Sequence, residues 1–160
     1  MLDISIVSKP KLVREEENLG VFEIENLYAG YGITLGNALR RVLLASLYGA
    51  APTSVKVEGM HHEFAPIEGA KEDMTQLILN LKLLRFKLHE GEQAVRLHLD
   101  AKGRGNVTAG DLQLPAQVEL INPDQHLVTL DSDSATFEMD VNVQRGKGYS
   151  PAEERGKLPI

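Results

Sequence analysis

The chain has 160 residues, of which 42% are hydrophobic and 25% are charged, and this composition is typical of a folded globular protein. The formal net charge of −6 argues against a protein that binds nucleic acid by electrostatics alone, because phosphate contacts need clustered Lys and Arg. The absence of cysteine excludes disulfide bonds, thiolate zinc sites and cysteine nucleophiles, and it is consistent with a cytoplasmic protein.

The N-terminal segment predicts two strands. Weak apolar alternation within residues 2–13 indicates a first strand that ends near Pro10, and the charged residues 14–17 follow as a predicted turn or loop. Residues 21–27 alternate apolar residues with glutamates, which predicts a strand with one solvent-exposed face. The N-terminus has no apolar stretch of signal length and no segment approaches the ~20 apolar residues of a membrane span, so we expect no membrane association.

The segment GYGITLGNALRRVLLASLYGAA at residues 30–51 predicts a glycine-rich loop that leads into a helix. Thr34 or Asn37 would supply the N-cap oxygen, and the helix would run to about Tyr48 and stop at Gly49.

When the residues are placed around the predicted helix at 100° per residue, they form two different faces. One face is typical of a core stripe and carries Leu35, Ala38, Leu39, Val42, Leu43 and Ser46. The opposite face carries Asn37, Arg40, Arg41, Leu44 and Tyr48. Arg and Tyr beside a large apolar residue favour a protein-binding surface, and packing of Leu44 and Tyr48 within the same domain is an equally open alternative.

The rest of the chain predicts one more helix and then mainly strands. A short strand is expected at residues 55–58, and a helix at residues 71–83 has a clear apolar stripe with two acidic residues at its start. Two strands flank the predicted hairpin turn HEGEQ at residues 89–93. Further strands are indicated near residues 118–120, 127–130 and 137–143, and loop follows from residue 144. The predicted class is α+β.

Several motifs resemble one family, in its order and spacing along essentially the whole chain. TLGNALRRVLLASL at residues 34–47 is similar to the N-terminal signature of the bacterial RNA polymerase α subunit. The other motifs that fit are HHEFAPIEGAKED at 61–73, ILNLKLL at 78–84, NVTAGDL at 106–112 and QRGKGYSPA at 144–152.

The resemblance implies a strand–loop–helix dimerisation segment at residues 1–50, interrupted by a mostly antiparallel β insert domain at residues 51–160. It also implies that the returning half of the dimerisation domain and the C-terminal DNA-binding domain are absent from this sequence. The apolar stripe of the first helix would then stay exposed, and we expect poor dimerisation.

The resemblance further implies a cytoplasmic, non-catalytic subunit of a nucleotidyltransferase, with a second α subunit and the β and β′ subunits as partners. Arg41 and Leu44 match positions implicated in β binding, and Asn37 and Arg40 share their motif and face. Lys82 matches a position linked to β′. The dimer or core positions would be Leu35, Leu39, Val42 and Leu43. No cofactor, metal or direct nucleic-acid contact is implied for this portion.

Other chemistry finds little support in the sequence. The glycine spacing at residues 30–36 is neither that of a dinucleotide fingerprint nor that of a P-loop. His61 and His62 would point to opposite sides of a strand, so a shared metal ion is not expected. The basic residues Arg145 and Lys147, with Lys102 and Arg104 in another loop, could contact a partner or a phosphate, but exposed loop tips are the favoured interpretation. A stand-alone protein-interaction module and a small phosphate-binding enzyme remain the alternatives.

Overall fold

The computed structural model describes residues 8–16, 19–89 and 94–151, and the chain divides into two compact units, residues 1–45 and 46–160. The expected domain boundary after residue 50 lies near this division. The assignment of the units to a dimerisation segment and an insert domain stays a prediction.

The first unit contains a two-stranded antiparallel ribbon formed by β1 (Lys11–Glu16) and β2 (Leu19–Glu23). The turn predicted from Arg14 is therefore wrong, because Arg14 to Glu16 form the second half of β1 and pair with β2. Both strands are exposed along their length, so charged side chains carry no desolvation cost there. Leu2, Ile4 and Ile6, on which the first strand was predicted, lie outside the described residues.

The helix α1 (Tyr31–Ser46) begins directly after Gly30, whose positive φ of 82° suits glycine. The N-cap prediction at Thr34 or Asn37 is wrong, since both residues lie inside the helix. The predicted end at Tyr48 is also wrong, because Tyr48 and Gly49 open the next strand. Glycine inside an exposed helix costs only about 1 kcal/mol, so the glycines here did not prevent helix formation.

The second unit holds most of the secondary structure. Its elements are β3 (Tyr48–Val57), α2 (Met74–Lys82), β4 (Phe86–Leu88), β5 (Val95–Lys102), β6 (Gly105–Thr108), a 3₁₀ turn (Ala109–Asp111), β7 (Val118–Leu120), β8 (His126–Leu130) and β9 (Thr136–Lys147). Five strands form an antiparallel sheet in the order β5-β9-β3-β4-β7, and β6 pairs antiparallel with β8. Two helices and antiparallel sheets confirm the α+β class.

Strand alternation builds the core of the second unit. The inner residues of β5 and β9 are fully buried, including Leu97, Leu99, Val141 and Val143. The side chains between them point to the opposite face of the sheet, where Asp140 and its polar neighbours meet solvent. All buried apolar residues among the described ones belong to this second unit.

The strand pairing differs from the predicted hairpin. β4 pairs with β3 and β7, and β5 pairs with β9, so β4 and β5 do not form a hairpin with each other. Residues 90–93 of the predicted turn lie outside the described residues. The loop predicted from Gln144 is also wrong, because β9 continues to Lys147 and pairs with the start of β3. Short-range patterns cannot identify such long-range partners.

The helix α2 matches its predicted apolar stripe but starts later than residue 71. Met74, Leu77 and Leu81 are buried, whereas Asp73 stands at the N-cap and accepts a hydrogen bond from the backbone N–H of Gln76 at 2.8 Å. This bond satisfies one of the orphan donors of the first turn.

We expect Asp73→Ala to lower the free energy of unfolding by about 1 kcal/mol, because the first turn of α2 loses its cap. Urea denaturation followed by circular dichroism measures the change. Asp124→Ala is the matched control, since Asp124 is exposed and forms no side-chain hydrogen bond within the described part of the chain. Equal stability of the Asp73 variant and the unmodified protein would contradict the capping role.

Candidate interaction surfaces

The predicted β-binding residues lie together on one side of α1. Asn37, Arg40, Arg41 and Leu44 are all exposed, and helical spacing places them within an arc of about 100°. Leu44 is 66% exposed and lies beside the two arginines. Tyr48, which was predicted to share this side, instead belongs to β3.

The opposite side of α1 carries the apolar stripe predicted for a core or a dimer. Leu39, Val42 and Leu43 are between 48% and 59% exposed, Leu35 is half-buried, and no residue of α1 is buried. The expected packing of this stripe in a core is therefore not observed among the described residues. The dimer interpretation stays a prediction.

The residue predicted to serve β′ assembly, Lys82, closes α2 with an exposed side chain. Leu79 and Leu83, which are 56% and 49% exposed, share its side of the helix. The Arg85 guanidinium donates to the carbonyls of Lys82, Leu83 and Leu84 at 3.3, 2.9 and 3.1 Å. These bonds satisfy the last carbonyl of the helix and the two carbonyls that follow it, so the backbone at Lys82 and Leu83 is fixed.

A carboxylate fixes the other end of α2 to β8. Glu72 accepts hydrogen bonds from the Thr129 backbone N–H at 2.6 Å and the Thr129 hydroxyl at 3.0 Å, and its Oε1 lies 2.9 Å from Nε2 of His126. The Glu72 side chain is only 14% exposed. We call Glu72, His126 and Thr129 the Glu72 clasp. The sequence placed Glu72 at the helix N-terminus, and only the fold showed its partners on β8.

The segment before the Glu72 clasp follows β8 closely. The Lys71 N–H donates to Thr129 O at 3.0 Å, and the Asp131 N–H donates to Gly69 O at 3.0 Å. Gly69 has a φ of +74°, and a Cβ there would approach the Ala135 Cβ to 2.9 Å, so the turn requires glycine. The approach to α2 is thus fixed by backbone and side-chain bonds together.

Burial raises the pKa of Glu72, but the hydrogen bonds from the Thr129 backbone, from His126 and from the Thr129 hydroxyl outweigh burial and lower the pKa below its ordinary value of 4.5. The ionised carboxylate is therefore the form that the folded protein stabilises. In the unfolded chain these donors are lost and the pKa returns toward its ordinary value.

Three histidines each contact a single carboxylate rather than a shared site. The pairs are His89 with Glu119 at 3.2 Å, His98 with Asp140 at 3.0 Å and His126 with Glu72 at 2.9 Å. Within residues 8–16, 19–89 and 94–151, no group of three or more His, Asp or Glu side chains could hold a metal ion. Neither described helix is long and apolar enough to cross a membrane.

Two sequence motifs that were predicted to be loops lie in regular secondary structure instead. Gly32 and Gly36 of the glycine-rich segment lie within α1, which leaves no phosphate-cradling loop between them. Arg145 and Lys147, interpreted as loop tips, belong to β9 and lie against the ring of Tyr48.

Two kinds of comparison relate the chain to known proteins: a family model matches within the second unit, and whole-length relatives match both units. The family model of the RNA polymerase Rpb3/RpoA insert domain matches residues 55–160. The DNA-directed RNA polymerase subunit alpha of Roseiflexus sp. (strain RS-1) is 48% identical over 160 residues, which cover 100% of this chain and 49% of the relative. The same subunit of Desulforamulus reducens is 51% identical over 155 residues, which cover 94% of this chain and 49% of the relative.

The chain belongs to the family of RNA polymerase α subunits. It spans about half the length of the curated relatives it matches. The resemblance of the sequence motifs to the bacterial RNA polymerase α subunit is therefore confirmed.

We expect Glu72→Gln to lower the free energy of unfolding by about 2 kcal/mol at pH 7, because the Glu72 clasp loses its charge-assisted hydrogen bonds. The folded pKa of Glu72 is lowered, so its stabilisation is present above pH 4.5 and is lost as the pH falls through the folded pKa. Urea denaturation across this pH range should show the variant and the unmodified protein converging in acid.

The matched control for this pH series is Glu68→Gln, because Glu68 is exposed and accepts no side-chain hydrogen bond among the described residues. A constant difference between Glu72→Gln and the unmodified protein from neutral pH down to strongly acidic pH would contradict the assignment.

Proposed function

We propose that this chain is the N-terminal assembly portion of a DNA-directed RNA polymerase α subunit and acts in transcription, in the cytoplasm, as a non-catalytic platform. The single observation that carries the proposal is that α1 buries none of its residues while it presents an apolar stripe on one side and an Arg–Leu surface on the other. Family membership supplies the identity of the complex.

Helix energetics support an assembly role. A helix of 16 residues is only marginally stable in water, because most helical stability in proteins comes from the packing of an apolar face. In α1 that face is exposed within the described residues. Exposed apolar surface of this kind marks protein–protein contact sites.

The two sides of α1 suit two partners. Asn37, Arg40, Arg41 and Leu44 would bind the β subunit, with the arginines as fixed hydrogen-bond donors and Leu44 as the apolar anchor. The apolar stripe of Leu35, Leu39, Val42 and Leu43 would contact a second α subunit. The proposal assigns both partners from the family together with the exposure of each side.

The surface of Leu79, Lys82 and Leu83 would serve the β′ subunit. Its two leucines are about half exposed, and its backbone is fixed by Arg85. Two large apolar side chains exposed on the same side of a helix favour a contact surface over a solvated one. The proposal gives this chain no catalytic residue, cofactor, membrane contact or direct contact with nucleic acid.

We expect Arg41→Ala and Leu44→Ala each to reduce capture of purified RNA polymerase β subunit at least about tenfold, because each removes an anchor of one interface. A pull-down with the tagged chain at matched concentrations measures the captured β. Circular dichroism spectra should stay unchanged, since neither side chain is buried.

Two controls define this pull-down. Arg104→Ala removes an exposed arginine from the turn between β5 and β6, and Lys82→Ala removes a cation from the surface proposed for β′, so both should capture β normally. Equal capture by Arg41→Ala, Leu44→Ala and the unmodified chain would remove this side of α1 from the β interface. Failure of the unmodified chain to capture β would contradict the platform role for this chain.

We expect weak, concentration-dependent self-association of the unmodified chain and its loss in Leu43→Asp, because an aspartate in the apolar stripe places a desolvated charge in the dimer contact. Sedimentation velocity over a concentration series measures the association. Leu47→Asp is the matched control, since Leu47 is an exposed leucine just beyond α1. Self-association that survives in Leu43→Asp would place the dimer contact elsewhere.

A further inference from the structure

A pocket of about 240 Å³ opens where β3 and β4 separate, at one end of the five-stranded sheet. These antiparallel strands pair only at Ala50 and Phe86, so Tyr48 and Gly49 run alongside Leu88 and Lys87 without pairing to them. We call this cavity the Tyr48 pocket; its lining residues are Tyr48, Gly49, Ala50, Phe86, Lys87, Leu88 and Arg145. A Cβ added at Gly49 would meet no atom within 4 Å, so one face of the strand is open at this position.

The rim of the Tyr48 pocket is positively charged. The guanidinium carbon of Arg145 lies 4.8 Å from the centroid of the Tyr48 ring, and Nζ of Lys147 lies 5.6 Å from it. Both cations lie on the same side of β9, two residues apart. Lys87 lies on the pocket wall, and its Nζ is 3.5 Å from a carboxylate oxygen of Glu119.

The two cations beside Tyr48 have no carboxylate partner among the described residues, where ion pairs involve other side chains. Two like charges next to one another repel, and the aromatic ring offsets only part of that repulsion. Tyr48 itself is 63% exposed, so solvent and ligands reach the site. Anionic groups at the mouth of the pocket would pair with both cations and remove this repulsion.

The floor of the pocket limits the kind of anion. Phe86 is 7% exposed, and Ala50 and Leu88 are partly buried against the core, so the floor is apolar. A cationic rim over an apolar floor suits a carboxylate that is followed by an aliphatic side chain. A phosphate backbone suits it less, because the surrounding chain carries a net charge of −6 and would repel phosphates beyond the pocket.

We propose that the Tyr48 pocket binds an acidic segment of a protein partner, with its carboxylates at Arg145 and Lys147 and an aliphatic side chain on Phe86. The segment would lie along the β4-facing edge of Tyr48 and Gly49, which pair with β9 only on their other edge. This inference does not rest on the function proposed for α1, because every residue of the pocket belongs to the second unit.

The test is an NMR titration of the ¹⁵N-labelled chain with the peptide acetyl-Glu-Leu-Glu-Glu-Leu-Glu-amide. We expect saturable amide shifts at residues 48–50, 86–88 and 145–147, with a Kd on the order of 1 mM or tighter. The same peptide with Gln in place of every Glu should produce no saturable shift at these positions, because the carboxylates supply the recognition.

Variants of the chain complete the test. Arg145→Gln and Lys147→Gln should each weaken binding about tenfold, because each removes one of the two unpaired cations. Arg104→Gln is the matched control and should bind as the unmodified chain does, since Arg104 lies on a different turn. The amide spectrum of each variant reports directly on whether it remains folded.

Three results would overturn the proposal. The first is a lack of saturable shifts at the pocket with the acidic peptide. The second is unchanged binding by both Arg145→Gln and Lys147→Gln while their spectra stay folded. The third is tighter binding of a single-stranded DNA octamer at the same residues, which would make the pocket a nucleic-acid site instead.

Discussion

The central position of β9 is the constraint on which the second unit depends. β9 lies between β5 and β3 and pairs with both along most of its length. Its inner residues Phe137, Met139, Val141 and Val143 are at most 2% exposed, and burial of apolar area of this kind is the main stabilising contribution in a small domain. A one-residue slip would place these side chains in water, so burial also fixes the register of the neighbouring strands. Past this core, β9 continues alongside the start of β3 and brings Arg145 to the Tyr48 pocket.

The Glu72 clasp adds a polar constraint to this apolar framework. Burial alone would leave α2 free to shift along the sheet, because apolar contacts are not directional. The hydrogen bonds from Thr129 and the contact with His126 tie one end of the helix to β8, and Arg85 satisfies the carbonyls at the other end. The surface that contains Lys82 is thus presented on a helix fixed at both ends.

In contrast to the second unit, the first unit has regular secondary structure without a buried core among its described residues. The helix α1 and the ribbon of β1 and β2 contain no buried residue among those described, although their sequences are rich in apolar side chains. The periodicity of the sequence is therefore sufficient to predict that α1 is a helix. It does not identify the surface against which the apolar side of α1 packs. Exposed apolar surface of this extent is the physical basis of the assembly role that we propose for the unit.

The sequence by itself determined the α+β class, the apolar stripe of α2 and the family, because these depend on residue periodicity and motif spacing within short segments. It left open whether Leu44 packs within its own domain, and the structure shows that Leu44 is exposed. The tertiary structure decided which strands pair, that Gln144 to Lys147 extend β9, and that Glu72 meets His126 and Thr129. Those contacts join residues far apart in the chain, and their energies depend on burial and geometry that local periodicity does not encode.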